Sequence, residues 1–500
     1  MLKLTDTGSE LLVALSNCTV ETISKSPGMT AISCDYNFEI DVVGADTLFT
    51  RGFYGDLLKD IRLRRKCLLI GNPGIGKSLF QFYYLARIMN PKLFGVLPPD
   101  LNGCTDAPKV VIRQVGLEMT VYDIEKRVAH TCDANMRLLK CFDPKVTLYF
   151  YEPDTTMQEP YLSRLPTLAT VSPDVIRYHE FRKRNVVPMH MPTYTLAELL
   201  SVGEYLLLHN KVPNNMINLF SEESIADRFR EFGGIIRHVL ASDIALFNTI
   251  RALATTAIDD CDAKRILRMS ANVGDLGVSH FVMQMNVTRT GPERFIKYST
   301  EFVSEKVRRA LEVKIAEVDL KDLIAVLIGN DETGIRSDVC PKVYELVVSK
   351  LLTSPTGLSG MISSKSSDGS TTWVANNTKL KALECGMPPI FSAMEEKVLY
   401  YPTNVNFPAV EFFYKDGDRL IGFQVTRQTE KSKVVTLSAF TDFLAKMEFR
   451  DKTKVLLYLV PTPSRANDST IVFKKTEGNK TVTMDAPVDV CTIMLPPKYV

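Results

Sequence analysis

A lysine and a serine, Lys77 and Ser78, close a loop that holds Gly71, Gly74 and Gly76, with Asn72, Pro73 and Ile75 between the glycines and Leu79 beyond the serine. The spacing matches G-x-x-x-x-G-K-S/T. Glycines at these positions let successive backbone N–H groups turn inward around a phosphate, and a following helix adds its positive end. The lysine ammonium suits the β- and γ-phosphates, and the serine hydroxyl suits Mg²⁺. Pro73 and Gly74 favour a fixed turn. The apolar run 67–70 predicts a buried parallel strand, and 78–89 predicts an amphipathic helix. In that setting the stretch 71–79 implies a nucleoside-triphosphate site.

Such a site needs an acid to position Mg²⁺ and water. The run 145–154 predicts a strand that ends in Glu152 and Asp154. The usual pattern ends in aspartate, so Glu152, with Pro153 after it, departs from it. Either acid orients water, or the pair forms an acidic turn. Ser172 closes the next predicted strand, where it reads as a polar sensor of the γ-phosphate or as a helix N-cap. Arg237 follows a break at Gly233–Gly234 and reads as a lid arginine or as a solvated helix charge.

The elements that would carry these residues alternate. Strands are expected at 108–116, 145–154, 165–174 and 186–192, and helices at 119–131 and 175–185. That order predicts a doubly wound α/β sheet with the loop at the carboxyl ends of its strands. Thr195 and Glu198 form a capping box before an apolar helix. Residues 250–330 read as mostly helical, and 363–372 has loop composition. From 341 the order is helix, strand near 371–375, strands at 407–414 and 420–426, a helix at 437–449 and a strand at 454–461.

Five hundred residues allow two to four domains, and 24% charged with 45% hydrophobic residues is ordinary globular composition. A net charge of +2 marks no polyanion binder overall, so any nucleic-acid surface has to be local. The basic runs 62–66 and 182–184 read either as solvated faces or as phosphate contacts, without interleaved aromatics. Ten scattered cysteines contain no C-x-x-C pair, which argues against a zinc site. The opening residues fit no secretory signal, and no apolar run of about 18 residues predicts a membrane span. Trp373, the single tryptophan, reads as core.

In order along the chain, "LFTRGFYGDLLKDI", "GNPGIGKS", "MPTYTLAELLSVGEYL" and "FGGIIRHVL" resemble the Crinkler and retrotransposon-hot-spot proteins. The resemblance implies an ATP- and Mg²⁺-dependent P-loop NTPase of AAA+/STAND type, with Arg237 on its helical lid. A PD-(D/E)XK, restriction-endonuclease-like domain would follow. It divides the chain into a segment at 1–44, the NTPase domain at 45–249, a lid and connector at 250–330 and the nuclease-like domain at 331–500. In the last of these, Glu345 falls at the helix acid and Glu411 at the metal-binding strand acid. Gln424 and Thr426 occupy the E-x-K position, with Lys431 and Lys433 nearby. The implied partners are DNA or nuclear and chromatin proteins in an intracellular setting. The nuclease-like module either cleaves or serves as an inert scaffold. The first forty-odd residues do not resemble the Crinkler entry segment.

Overall fold

The computed structural model describes residues 3–23, 25–38, 42, 44–95, 97, 108–154, 159–161, 163–174, 178–184, 186–262, 280–319, 322–323, 339–353, 364–365, 371–372, 381–385, 388–396, 398–402, 410–426, 432–461, 470–477, 480–484 and 489–492. The chain divides into two compact units, Met1–Val313 and Lys314–Val500. The expected boundary lay at 330/331.

The first unit opens with β1 (Lys3–Thr5), α1 (Asp6–Ser16), β2 (Thr19–Thr22), β3 (Thr30–Ser33), β4 (Thr47–Thr50) and α2 (Tyr54–Arg62). Next come β5 (Lys66–Ile70), α3 (Lys77–Met89), α4 (Pro91–Phe94), β6 (Val110–Val115), β7 (Glu118–Asp123), β8 (Val128–Asp133) and α5 (Met136–Lys140). After these stand β9 (Thr147–Glu152), β10 (Thr167–Val171), α6 (His179–Arg182), β11 (Val187–His190) and α7 (Leu196–Leu208). The unit continues with α8 (Glu222–Phe232), α9 (Ile236–Val239), α10 (Ile244–Asp259), β12 (Met283–Val287) and β13 (Tyr298–Phe302).

Eight strands form one sheet in the order β1-β8-β7-β6-β9-β10-β5-β11. From β6 to β11 every neighbouring pair is parallel, while β7, β8 and β1 extend the far edge antiparallel. The loop-bearing strand β5 therefore has parallel neighbours on both sides. Its Cys67, Leu68 and Leu69 are fully buried, as a near-continuous apolar strand in a covered parallel sheet requires. Burial also pushes the Cys67 thiol up to about 12, so this residue packs as an inert hydrophobe.

Residues 119–131 were expected as helix but form the strands β7 and β8. Gly116, at φ 54°, and Leu117 make a two-residue turn, and Met119 and Val121 then alternate inward. Residues 250–330 were expected as mostly helical but contain the antiparallel hairpin β12–β13 between α10 and a helix at Glu305–Glu317. Met283, Met285 and Val287 are buried, as is Gln284 between the methionines, and Asn286 is exposed. Residues 1–44 belong to the same unit: β1 pairs with β8, and β2–β3–β4 makes a small sheet. Ala31 and Phe49 from that sheet, and Met29 just before β3, share a core with Leu199, Val202 and Leu206 of α7.

The capping box at α7 is present, with Thr195 Oγ1 accepting from Glu198 N and Thr195 N donating to Glu198 Oε2. α8 stops at Gly233. Gly234 is backed so closely by the Tyr194 carbonyl that no Cβ fits there.

In the second unit, β14 (Ser364–Lys365) and β15 (Thr371–Thr372) pair antiparallel within the stretch expected as loop. β16 (Lys381–Cys385), β17 (Val398–Pro402), β18 (Phe412–Asp416) and β19 (Arg419–Thr426) are followed by β20 (Ser432–Thr436) and β21 (Val455–Pro461). β22 (Thr470–Glu477), β23 (Lys480–Met484) and β24 (Asp489–Thr492) complete the unit. The larger sheet runs β16-β17-β18-β19-β21-β24, and β20-β22-β23 forms a smaller one. Helices at Val339–Thr353 and Leu437–Lys446 accompany them, and Phe413, Leu420, Phe440 and Phe443 pack in one core. Most strands and both helices read from 341 onward are present, and β16, β17, β20 and β22–β24 are additional. Trp373 and Lys431 lie outside the described residues. No described helix is long and apolar enough to cross a membrane.

Candidate functional site

β5 delivers the glycine loop to the carboxyl edge of the parallel sheet, where Gly71 N donates to Val171 O of β10 at 3.2 Å. Met191 N, just past β11, donates to Ile70 O at 2.8 Å, so both flanking strands hold the loop's root. Buried Ile75 anchors the middle of the loop. Gly74 has φ 77° and a Cβ there would stand 2.9 Å from Arg237 Cβ, so both conformation and space demand glycine. Gly76, at φ 90°, starts α3, whose first residues are Lys77, Ser78 and Leu79. Phe80, Tyr84 and Ile88 are buried one helical turn apart and pin α3 to the fold. Phe80 also meets Tyr54 of α2 edge-on at 5.0 Å.

Lys77 Nζ donates to the Gly71 and Asn72 carbonyls, each at 2.8 Å, which holds the ammonium against the loop. Ser78 Oγ donates to Glu152 Oε1 at 2.5 Å across the β5–β10–β9 portion of the sheet. The other Glu152 oxygen accepts from Arg113 Nη2 of β6 at 3.0 Å. Arg113 Nε donates to Gln81 Oε1 at 3.1 Å, and Gln81 Nε2 donates to Thr170 Oγ1 at 2.8 Å. Three elements, α3, β6 and β10, thus fix the carboxylate carried by β9. Asp154, the other acidic candidate, packs over Gly116 at the end of β6, on the side of β9 away from β5. Ser172 follows the last residue of β10 and so lies at the same sheet edge as the loop.

Arg237 is also at the loop. Arg237 N, in α9, donates to Gly74 O at 3.2 Å. Beside it, the His238 and His280 rings stand 5.9 Å apart, and Phe281 stacks on His238 at 4.8 Å. Burial, then His280 and Arg237, pulls the His238 pKa down to about 3. Burial, then Arg237 and Lys77, lowers His280 to about 4. Asn72, inside the glycine loop, is anchored by its side chain. Its amide is fully buried and bonded to the backbone of β12. Arg113, His280 and the β12 contact were missed from sequence. A lone arginine inside the apolar run "VVIRQV" was the one local signal available.

In the second unit Glu345 lies half-buried on the helix Val339–Thr353. Glu411, just before β18, is brought to β19: its carboxylate accepts from Gln424 Nε2 at 2.6 Å and from Val425 N at 3.0 Å. Gln424 is buried and Thr426 ends the strand. Gln424 presents its amide nitrogen to that carboxylate. Among the described residues no group of three or more His, Cys, Asp or Glu side chains is gathered to hold a metal ion.

Fold and loop together define an α/β protein with a mostly parallel sheet and a phosphate-type glycine loop at its carboxyl edge. No family model and no curated protein matches the chain. Among solved structures it is similar to the S. cerevisiae Hsp104–ADP complex at 11% identity and TM-score 0.25, over 59% of this chain and 46% of that one. It is also similar to a Thermotoga maritima RuvB mutant at 14% identity and TM-score 0.21, over 44% of this chain and 74% of that one. The match thus spans about half the length of the Hsp104 chain, and a likeness at these scores carries no argument about this protein's chemistry.

Proposed function

We propose that the first unit binds a nucleoside triphosphate, ATP by preference, together with Mg²⁺, and hydrolyses it. The observation that carries this reading is the 2.5 Å contact between Ser78 Oγ and Glu152 Oε1. A hydroxyl and a carboxylate oxygen at the mouth of a glycine loop are the hard oxygen donors that Mg²⁺ prefers. Bound there, the ion would supply charge neutralisation for the phosphates.

The remaining steps belong to the chain itself. Backbone amides from Gly74 to Leu79 would grip the phosphates, with the amino end of α3 behind them. Lys77 would turn from the Gly71 and Asn72 carbonyls to the β- and γ-phosphate oxygens. Glu152, steadied by Arg113, would hold the attacking water in line, and Arg237, docked on Gly74, would sense the occupied site. The test uses the full chain with Mg²⁺. Lys77→Ala should abolish binding of a fluorescent ATP analogue, while Glu152→Gln should keep binding and lower phosphate release by about a hundredfold or more. Unchanged phosphate release in Glu152→Gln would sink the hydrolytic reading.

For the second unit, two proposals follow from the resemblance to Crinkler and retrotransposon-hot-spot proteins. One is a nuclease-like module that acts on DNA under control of the nucleotide. The other is a nucleotide-gated interaction protein with an inert scaffold. The Glu411 contacts favour the scaffold, because that carboxylate already accepts from Gln424 and Val425. Plasmid nicking by the wild-type chain with Mg²⁺ or Mn²⁺, lost in Glu411→Ala, would reverse that preference.

A further inference from the structure

The two basic runs, about 120 residues apart in sequence, converge in the fold. In the parallel part of the first sheet, each strand is entered from the edge opposite the glycine loop, and each entry carries a cation. Arg184 precedes β11, Arg65 and Lys66 open β5, Arg164 precedes β10, Lys145 precedes β9 and Lys109 precedes β6. The pairing register keeps these entries side by side: Lys66 is level with Thr167, and Cys67 with Val187. Neighbouring strands lie about 4.8 Å apart, so the row extends for about 19 Å from β11 to β6. Arg65, Lys109, Lys145, Arg164 and Arg184 are exposed, and Lys66 is half-buried.

The acids nearby neutralise only Lys109 of the row. Glu125 pairs with Lys109 at 2.7 Å, the Asp143 carboxylate accepts from Lys145 N, and Glu180 pairs with Lys183. Among the described residues no carboxylate pairs with Lys66, Arg164, Arg184 or the Lys145 ammonium. Arg65 donates to the Arg164 carbonyl at 3.2 and 2.6 Å, which ties β5's entry to that of β10. Burial, then the charges of Arg65 and Arg184, pulls the Lys66 pKa down, so cations crowd one another here. Like charges held together without partners oppose folding, and an anionic partner removes that opposition.

We propose that this amino-terminal sheet edge docks the phosphate backbone of a nucleic-acid strand, opposite the nucleotide site. The row is linear and rich in guanidinium groups, which bond phosphate oxygens bidentately. It contains no aromatic side chain for base stacking, so recognition is independent of base sequence. A lipid surface would reward apolar insertion beside the cations, and the one large exposed hydrophobic in the run 62–66 is Leu63, at 37%.

The test is fluorescence anisotropy of the full chain with a labelled single-stranded DNA and with the same sequence as RNA, titrated with NaCl. About four phosphate contacts predict a log–log salt slope near −3, an affinity loss of about fiftyfold between about 50 and 200 mM salt. The double variant Arg164→Gln/Arg184→Gln should bring the slope to about −1.4. Its nucleotide affinity should be unchanged, since both side chains lie at the opposite edge. Binding of DNA, RNA or both supports the proposal and identifies the source of the phosphodiester. If the double variant does not fold, the single variants carry the test, each with half the change in slope. Unchanged affinity and slope in the variants, no binding at the lowest salt, or preferential capture by phosphatidylserine vesicles would overturn it. Lys77→Ala should leave this binding intact, so failure here is distinct from failure of the nucleotide reading.

Discussion

The side-chain amide of Asn72 is bonded to β12 as another strand's backbone would be, with Nδ2 donating to Met283 O at 3.1 Å and Oδ1 accepting from Met285 N at 3.0 Å. The second residue of the glycine loop is thereby fixed to a hairpin more than 200 residues later in the chain. Asn72→Ala strands a buried donor and a buried acceptor, at a cost of about 1–3 kcal/mol for each group. Faster hydrogen exchange at the Met285 amide and a lower thermal midpoint are expected. Exchange at wild-type rates would show that the hairpin is held by other contacts.

Arg113 is bonded to Glu152. It reaches one carboxylate oxygen at 3.0 Å and lies over the Phe82 ring at 4.9 Å. Arg113→Met keeps the packing and removes the charge-assisted bond, leaving Glu152 with Ser78. Misplacement of a catalytic group by about 1 Å can slow turnover by up to about a hundredfold. The expected result is a fall in kcat of about tenfold or more, with KM for ATP nearly constant. A rise in KM at unchanged kcat would mean that Arg113 contributes to nucleotide binding instead.

What could be read in advance was what is encoded locally. Gly71–Ser78, the Thr195–Glu198 capping box and the break at Gly233 each depend on residues within one or two turns of each other. Arg113 and Glu152 are 39 positions apart, and Asn72 and Met285 are 213 apart, so only the sheet order and the hairpin bring them together. The strands β7 and β8 were misread as helix because each is short. Their apolar alternation over six residues overlaps a helical pattern when the Gly116 turn is not recognised. Glu152 and Asp154 were indistinguishable by sequence. Side-chain direction separates them, since one meets Ser78 and the other Gly116.

Stability of the first unit should be sensitive to one buried ion pair. Arg51, 1% exposed, donates to Glu198 Oε1 at 3.1 Å and to Oε2 at 2.8 Å, and bonds the Pro192 and Thr193 carbonyls. It is stacked between Phe53 and Tyr194 at 4.6 and 4.0 Å. Burial pushes the Glu198 carboxyl up, and the Arg51 charge and hydrogen bonds outweigh that and hold it below the ordinary range. Arg51→Met leaves the buried carboxylate with Arg289, at 4.0 Å, as its remaining cation, and losing the close partner costs up to about 3–5 kcal/mol. Urea melts should show that loss, with a smaller one for Arg51→Met/Glu198→Gln. Equal losses in the single and double variants would mean that Arg51's packing, not the pairing, is what matters.

Acid should destabilise the same unit before most carboxylates titrate. His238 is 4% exposed, its Nδ1 has no hydrogen-bond partner, and its pKa is lowered from 6.5 to about 3 by burial, then by His280 and Arg237. In the unfolded chain the ring takes a proton near pH 6.5, whereas in the folded chain it stays neutral until about pH 3. Between those values the unfolded state binds more protons, so stability falls as pH drops. At about pH 5 the penalty is about 2 kcal/mol for His238, and His280, lowered to about 4, adds to it in the same direction. His238→Phe removes the titrating group while preserving the stack on Phe281. Urea midpoints measured at pH 7 and pH 5 should therefore fall less in the variant than in the wild-type chain. Identical falls would show that the ring's burial does not govern acid sensitivity.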